Sequence, residues 1–404
     1  MTAPTSPPMT TPLTGLRVLE LARILAGPWI GQTLADLGAD VVKVEAPEGD
    51  DTRRWGPPFI ERGATDADRS ASDPSHGASP AREAAYFHCC NRGKRSVIAD
   101  FRDPAGQDFV RALVKRSDVL IENFKVGGLK KYGLDYESLH ALNPRLVYCS
   151  VTGFGQNGPK SGHAGYDLMI QGMSGIMDLT GDPAGPPQKL GVAFADIFTG
   201  TYGVIAIQAA LAQRERTGSG QHIDMALLDT MVGILANQGL NYLVSGTAPQ
   251  RLGNAHPNIV PYQTFDAADG AICVAVGNDV QFRRFCEVLG AVQLAGEPRF
   301  ATNQARVTHR DILVPLLAAA VRHRQREELL AALELQEVPA GPVNSLAQVF
   351  ADPQVVARGM RIDLDQIPSI RTPIVFSDAQ LSLSRRAPRL GEHTAEVLRE
   401  LGRP

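Results

Sequence analysis

Short aliphatic and β-branched runs alternate with amphipathic stretches through the first half of the chain. "LRVLELA", "DVVKVEA", "RSVIADF", "DVLIENF", "PRLVYCSVTG" and, further on, "HIDMA" predict strands. "PWIGQTLADLGA" predicts a helix that opens at Pro28 and closes near Gly38. "DPAGQDFVRALVKRS" predicts a second, capped by Asp103 with Pro104 at its first position. Strands separated by helices of this length imply βαβ units and a parallel sheet. A long helix is expected after Asp196, closing at Gly218 in "RTGSG", and another over "LLDTMVGILANQGLNYLV". From about Arg251 the texture changes to "GNAHPNIVPYQTF" and "GAICVAVGN" followed by helices, which predicts a second, smaller domain.

The expected organisation is a tail over 1–12, a large domain over 13–228, a small domain with its linkers over 229–335, and a return segment over 336–404 that completes the large domain. The tail, "MTAPTSPPMTTP", has no basic stretch leading into an apolar one and reads as disordered, not as a secretory signal. An insert at 62–82 is rich in Ala, Asp, Ser, Gly and Pro and reads as a surface loop.

Composition narrows the class. Of 404 residues 44% are hydrophobic and 21% charged, and the net charge is −3, which excludes a basic nucleic-acid or anionic-membrane surface as the main partner. Five cysteines without a CxxC pair read as reduced thiols in a cytoplasmic protein. The apolar stretch "FTGTYGVIAIQAALAQ" reads as too short and too rich in Gln, Gly and Thr to cross a membrane.

Two motifs invite chemistry and do not support it. "GFGQNG" matches G-x-G-x-x-G, but "PKSGHAG" follows in place of an amphipathic helix, so a glycine-rich turn lining another ligand is the better reading. "FHCC" sets three soft ligands side by side, which cannot share one tetrahedral metal without strain. Two carboxylates are more informative. Asp196 is the single charge in "LGVAFADIFTG", and Asp167 sits among glycines and apolar residues in "HAGYDLMIQGMSG". A carboxylate in such a setting is costly unless paired or hydrogen-bonded. For Asp196 a helix cap and a catalytic group remain equal alternatives; for Asp167 a structural role is favoured.

Taken together, "GLRVLELARILAGPWIGQTLADLGADVVKVEAPEGDDTR", "NRGKRSVIADFRDPAG", "GLDYESLHALNPRLVYCSVTGFGQNGP", "GYDLMIQGMSG" and "RTGSGQHIDMAL" resemble the class III CoA-transferases, the CaiB/BaiF type. "GDDTRRWGPPF", "RLGNAHPNIVPYQTF" and "FADPQVVARGM" are similar to the succinyl-CoA:glutarate CoA-transferase branch. The resemblance implies an α/β fold: a Rossmann-like large domain built from both ends of the chain, a small α+β domain, and an interlocked homodimer. It implies CoA transfer from an acyl-CoA, succinyl-CoA by this branch, to a small dicarboxylic acid such as glutarate. CoA thioesters are then substrates, with no permanently bound cofactor and no metal.

"GVAFADIFTG" matches the segment that carries the family's nucleophile, so the role falls to Asp196, through an aspartyl-acyl anhydride and an aspartyl-CoA thioester. The resemblance assigns CoA contacts to Leu25 and Ala26, to Ala99, Asp100, Phe101 and Arg102, to Asn123, Phe124 and Lys125, to Lys131, and to Ala164, Gly165, Tyr166 and Asp167. Ala46 stands where a transferase of the family has a CoA-binding arginine, and Lys43 is the candidate to take over that role. Arg54, Gly253, Asn254 and His256 are candidates for the acceptor side; the glycine-poor "RLGNAHPN" stands where relatives carry a glycine run. The alternative reading is an α-methylacyl-CoA racemase-like isomerase. Racemases carry a histidine where this chain has Tyr166, and a phenol is a poor base near neutral pH.

Overall fold

The computed structural model describes residues 10–62 and 82–403; most of the expected tail and of the insert lies outside these. The chain forms two compact units. One comprises the described residues up to Gly175, with Leu190–Leu240 and those from Val356 onward. The other comprises Ile176–Lys189 and Asn241–Val355.

The first unit is built on six strands, numbered along the chain within their sheet: β1 (Arg17–Glu20), β2 (Asp40–Glu45), β3 (Arg95–Ile98), β4 (Val119–Glu122), β5 (Val147–Thr152) and β6 (His222–Ala226). All pairings are parallel, and the spatial order is β3-β2-β1-β4-β5-β6. That is the doubly wound order, with its reversal between β1 and β4. Register is set by apolar positions, with Val18 opposite both Val41 and Val119. Such strands are covered on both faces and read as near-continuous apolar runs, which is why six short segments were legible as strands. One face packs Leu19, Val42 and Leu120 against Phe109, Val110 and Leu113 of the Pro104–Val114 helix. Asp103 caps that helix by accepting from the Ala105 N–H (3.0 Å).

The helix after β1 spans Ala26–Asp36, so it opens before Pro28, with Leu25 as its cap residue. The longest helix runs from Phe194 to Thr217 and closes at the left-handed Gly218. Its 24 residues exceed the expected apolar stretch because the Arg-containing last turns continue it. By length and composition alone it is long and apolar enough to cross a membrane, which corrects the sequence reading. In this unit it lies against the Ala26–Asp36 helix. Any Cβ on Gly200 or Gly203 would come within 2.9 Å of Ala26 O and 2.5 Å of Ile30 Cδ1, so the close approach requires glycine.

The last segment returns to the sheet. The His393 N–H donates to Ser96 O, the Ile98 N–H donates to Thr394 Oγ1, and Arg95 pairs with Glu396 and Glu400 of the Thr394–Glu400 helix. In the second unit, an antiparallel hairpin of Tyr262–Ala267 and Gly270–Ala275, extended by Ala340–Pro342, carries a core of Phe265, Ile272, Phe282, Phe285, Leu313 and Leu333.

Candidate active site

A crevice of about 470 Å³ opens at the carboxyl ends of β1, β4 and β5, where the strand order reverses. Ligands of open α/β sheets bind at this point, because loops from adjacent strands diverge there. Leu25 and Ala26 after β1, Asn123, Phe124 and Lys125 after β4, and Lys131 line one part of it. Ala164, Gly165, Tyr166, Asp167 and Asp196 line another, with Gly153 from the "GFGQNG" turn. Gly153 and Gly165 approach so closely that a Cβ on either would lie 2.5 Å or less from the other's Cα. Gly153 thus serves backbone packing beside the crevice.

Asp167 and Asp196 divide the two roles that the sequence left open. Asp167 begins the Asp167–Met173 helix, yet its carboxylate caps a different one. Its Oδ1 accepts from the N–H groups of Ala195 (2.8 Å) and Asp196 (3.3 Å), in the first turn of the Phe194–Thr217 helix. Its Oδ2 accepts from Gln171 Nε2 (2.7 Å), and Gln171 Oε1 accepts from the Leu190 N–H (2.9 Å). Asp196 therefore does not cap its helix. Among the described residues no hydrogen bond reaches its part-buried carboxylate. Burial, and then the like charge of Asp167, push it up to about 7. A carboxylate that neither water nor the protein solvates well is a strengthened nucleophile, and nearby N–H groups can meet developing negative charge.

The family model for CoA-transferase family III matches residues 13–394. The chain belongs to this family. It is 56% identical to the succinate–glutarate CoA-transferase of Agrobacterium fabrum, over 96% of each chain. It is 39% identical to the mouse succinyl-CoA:glutarate CoA-transferase, over 96% of this chain and 86% of the mouse protein. A crystal structure of a CaiB/BaiF family protein from Brucella suis is 61% identical and superposes with a TM-score of 0.86, over 97% of this chain and all of that one. The protein is thus an enzyme of the CoA-transferase class with a mixed α/β fold on a parallel sheet, as the resemblance implied.

Not every candidate of this transferase faces the crevice. Lys43 is wholly buried, paired to Glu20 Oε1 (3.1 Å) and Asp50 Oδ2 (3.0 Å), and donates to Ala22 O (2.8 Å). It cannot reach a bound phosphate, which corrects the expectation. Arg102 is exposed and forked onto Asp100, with Nε and Nη2 within 3.0 Å of its carboxylate. Phe101 packs on Phe124 and Tyr132, which do line the crevice, whereas Ala99 belongs to the core beneath. Arg54 pairs with Asp51 on the surface.

Gly253, Asn254 and His256 lie in the second unit. Gly253 is left-handed, Asn254 Nδ2 donates to Thr264 Oγ1 (3.0 Å), and His256 Nδ1 accepts from the Asn258 N–H (3.0 Å). Burial, and then the Arg310 charge, lower the His256 imidazole pKa. His88 of the "FHCC" run lies beside Glu83 (3.4 Å), and no group of side chains suited to a metal occurs among the described residues.

Sequence reasoning missed Tyr86. Burial raises its phenol pKa, and the charge of Asp196 raises it further; its ring meets Trp55 edge-on at 5.5 Å. It follows the insert, where spacing carried no signal. Glu122 was also missed: it lies inside an apolar strand and, with no cation beside it, burial pushes it up to about 7.

Proposed function

We propose that this enzyme moves CoA from succinyl-CoA to glutarate, with Asp196 as the nucleophile. The observation that carries the mechanism is the Asp196 carboxylate, set in the crevice with no hydrogen-bond partner among the described residues and in the first turn of a helix. The ionised carboxylate attacks the thioester carbonyl, the C–S bond breaks, and CoA leaves as thiolate, giving an aspartyl-succinyl anhydride. The thiolate then attacks the aspartyl carbonyl and releases succinate, leaving an aspartyl-CoA thioester. Glutarate attacks that thioester, CoA departs again as thiolate, and its return to the glutaryl carbonyl yields glutaryl-CoA and frees Asp196. The thioester's energy is conserved throughout, so no ATP is needed.

Lys125 and Lys131 are assigned to the phosphates of CoA, as charge-assisted donors on the crevice wall. A homodimer is part of this reading. Tyr202, Ile205, Val232 and Leu240 are large apolar side chains exposed on the long helix and the helices after it, which supports burial against a second copy. Incubation with succinyl-CoA and a panel of acids, read by mass spectrometry, tests the assignment. Glutaryl-CoA formation and a hydroxylamine-sensitive adduct on Asp196 are expected; no transfer to any acid and no adduct would overturn it.

A further inference from the structure

Ile24, on the crevice wall, has a left-handed backbone with φ of 72°. A β-branched residue is a genuine outlier there, because its Cβ crowds the following carbonyl, and such strain persists only where surrounding groups enforce it. The enforcing groups are buried and ionic. Both carboxylate oxygens of Asp50 face the Ile24 N–H, at 3.3 and 3.4 Å. Asp50 is itself buried; its Oδ1 accepts from the N–H (3.0 Å) and hydroxyl (2.8 Å) of Thr52, and its Oδ2 pairs with Lys43 (3.0 Å). Lys43 also holds Ala22 O, two residues before Ile24, and is anchored by Glu20 at the end of β1. On the far side of the loop, Asn123 accepts from the Arg23 N–H (2.9 Å) and donates to Arg23 O (2.6 Å). The peptides on both sides of Arg23 are thus clamped, and Leu25 and Ala26 follow directly into the crevice and the next helix.

We propose that Asp50 is a positioning residue for this transferase: tethered by buried Lys43, it holds Ile24 left-handed and so sets the shape of the Ile24–Ala26 wall against which CoA lies. This rests on the reading of the crevice as the CoA site. Asp50 touches no reacting atom and acts through the Ile24 backbone. Asp50→Asn has one oxygen to share among Lys43, Thr52 and Ile24, so the loop is released. Glycine adopts a left-handed backbone without a Cβ penalty, so Ile24→Gly relieves the need for the clamp.

The test measures kcat and KM for succinyl-CoA in Asp50→Asn, Ile24→Gly and the double variant, with melting temperatures alongside. Asp50→Asn is expected to lower kcat/KM by about tenfold or more, chiefly through KM, since small misplacements in a binding wall are amplified. Ile24→Gly is expected to recover at least a third of the wild-type value in the double variant. Ile24→Asn, which tolerates the same backbone and keeps a side chain, repeats the rescue if the lost Ile24 side chain obscures it. Two results overturn the proposal: Asp50→Asn within twofold of wild type, or no rescue by either substitution at matched melting temperature. Lys131→Ala in the same assay separates the premise. Unchanged CoA affinity there removes the crevice reading itself, whereas weakened affinity without rescue removes only the role of Asp50.

Discussion

Two groups of buried carboxylates lie within the first unit, and they are treated in opposite ways. Around β1 and β2, Glu20, Glu45, Asp50 and Glu83 each meet a cation: Lys94 and Lys43, Arg53, Lys43, and Arg53 with Arg62. These cations, joined at Glu83 by a hydrogen bond from His88, hold Glu45, Asp50 and Glu83 below the usual carboxylate range, although burial works against them. Asp196 on the crevice wall and Glu122 at the buried end of β4 have no cation beside them among the described residues, and both are pushed up to about 7. The first group fixes the loops that form the site. The second keeps carboxylates poorly solvated where they can react or respond to pH. In these two groups the presence of a cation decides the direction, whereas at Asp36 burial outweighs the paired Arg92 and the pKa is raised.

The largest effect expected from breaking the second group is on turnover. Asp196→Ala removes the attacking carboxylate and should lower kcat by at least ~10⁴, as loss of a nucleophile does. The same change should stabilise the fold. A carboxyl whose pKa is raised in the folded state binds its proton more tightly there. Stability contributed by its neutral form is present at low pH and is lost as pH rises from the usual range toward 7. At pH 8 the variant should melt about 1–3 °C above wild type, measured by calorimetry. A lower melting temperature would mean that Asp196 is compensated after all.

Breaking the first group should act on stability before activity. Arg53 forks onto Glu45 (2.6 and 2.9 Å), pairs with Glu83, donates to Pro388 O and lies over the Phe87 ring. Arg53→Met leaves buried Glu45 without its ion-pair partner and Glu83 with Arg62 alone, and should cost about 3–5 kcal/mol. The sign of its pH dependence follows from depressed pKa values. Wild-type stability from Glu45 and Glu83 is present above their unfolded pKa near 4.5 and is lost as pH falls through the folded values. The variant should show a weaker loss on acidification, read by denaturant titration from pH 7 to 4.

How much of this was legible follows from the range of the interactions. The six strands announced themselves because each is a local apolar run, and Asp196 stood out as one charge in such a setting. The choice between cap and catalyst for Asp196 stayed open in the sequence because the cap is not local: Asp167 accepts from N–H groups 28 and 29 residues further on. Lys43 read as a CoA-binding cation for the same reason. Its partner Glu20 lies 23 residues earlier, and only the pairing of β1 with β2 brings the two together. The close of the long helix was legible because its signal is local: Gly218 follows the last turn and takes the left-handed backbone that ends it.

A smaller change sharpens the division between Asp167 and Asp196. Asp167→Asn keeps an oxygen to accept from the Ala195 N–H but removes the like charge. Burial remains the larger cause of the raised Asp196 pKa, so the shift should be partial. Asp196 must be ionised to attack, and kcat/KM should fall as pH drops below about 7 in the wild type. In the variant that acid limb should move to lower pH by about half a unit to one unit. An unmoved limb with unchanged melting temperature would leave Asp167 as a cap alone.

The smallest effect tests whether Glu122 belongs with Asp196. Its carboxylate accepts from the Phe124 N–H (2.7 Å) and from the Ser150 hydroxyl, and Ser150 Oγ lies 2.9 Å from Nε2 of His222. Tyr148, Cys149 and Asp224 also border this cluster, and none supplies a positive charge; burial keeps His222 neutral by lowering its pKa. Glu122→Gln preserves shape and retains one acceptor for Phe124, so turnover at pH 8 should stay within about twofold of wild type. Stability carries the sharper outcome. With a raised folded pKa, Glu122 weakens the fold as pH rises toward 7, so the glutamine variant should gain stability over wild type between pH 5 and pH 8. A variant that melts lower at pH 8 would show that the ionised Glu122 is compensated by its hydrogen bonds. It would then stand with Glu45 and Asp50, and of the two raised carboxylates Asp196 would be the one whose charge the fold leaves unmet.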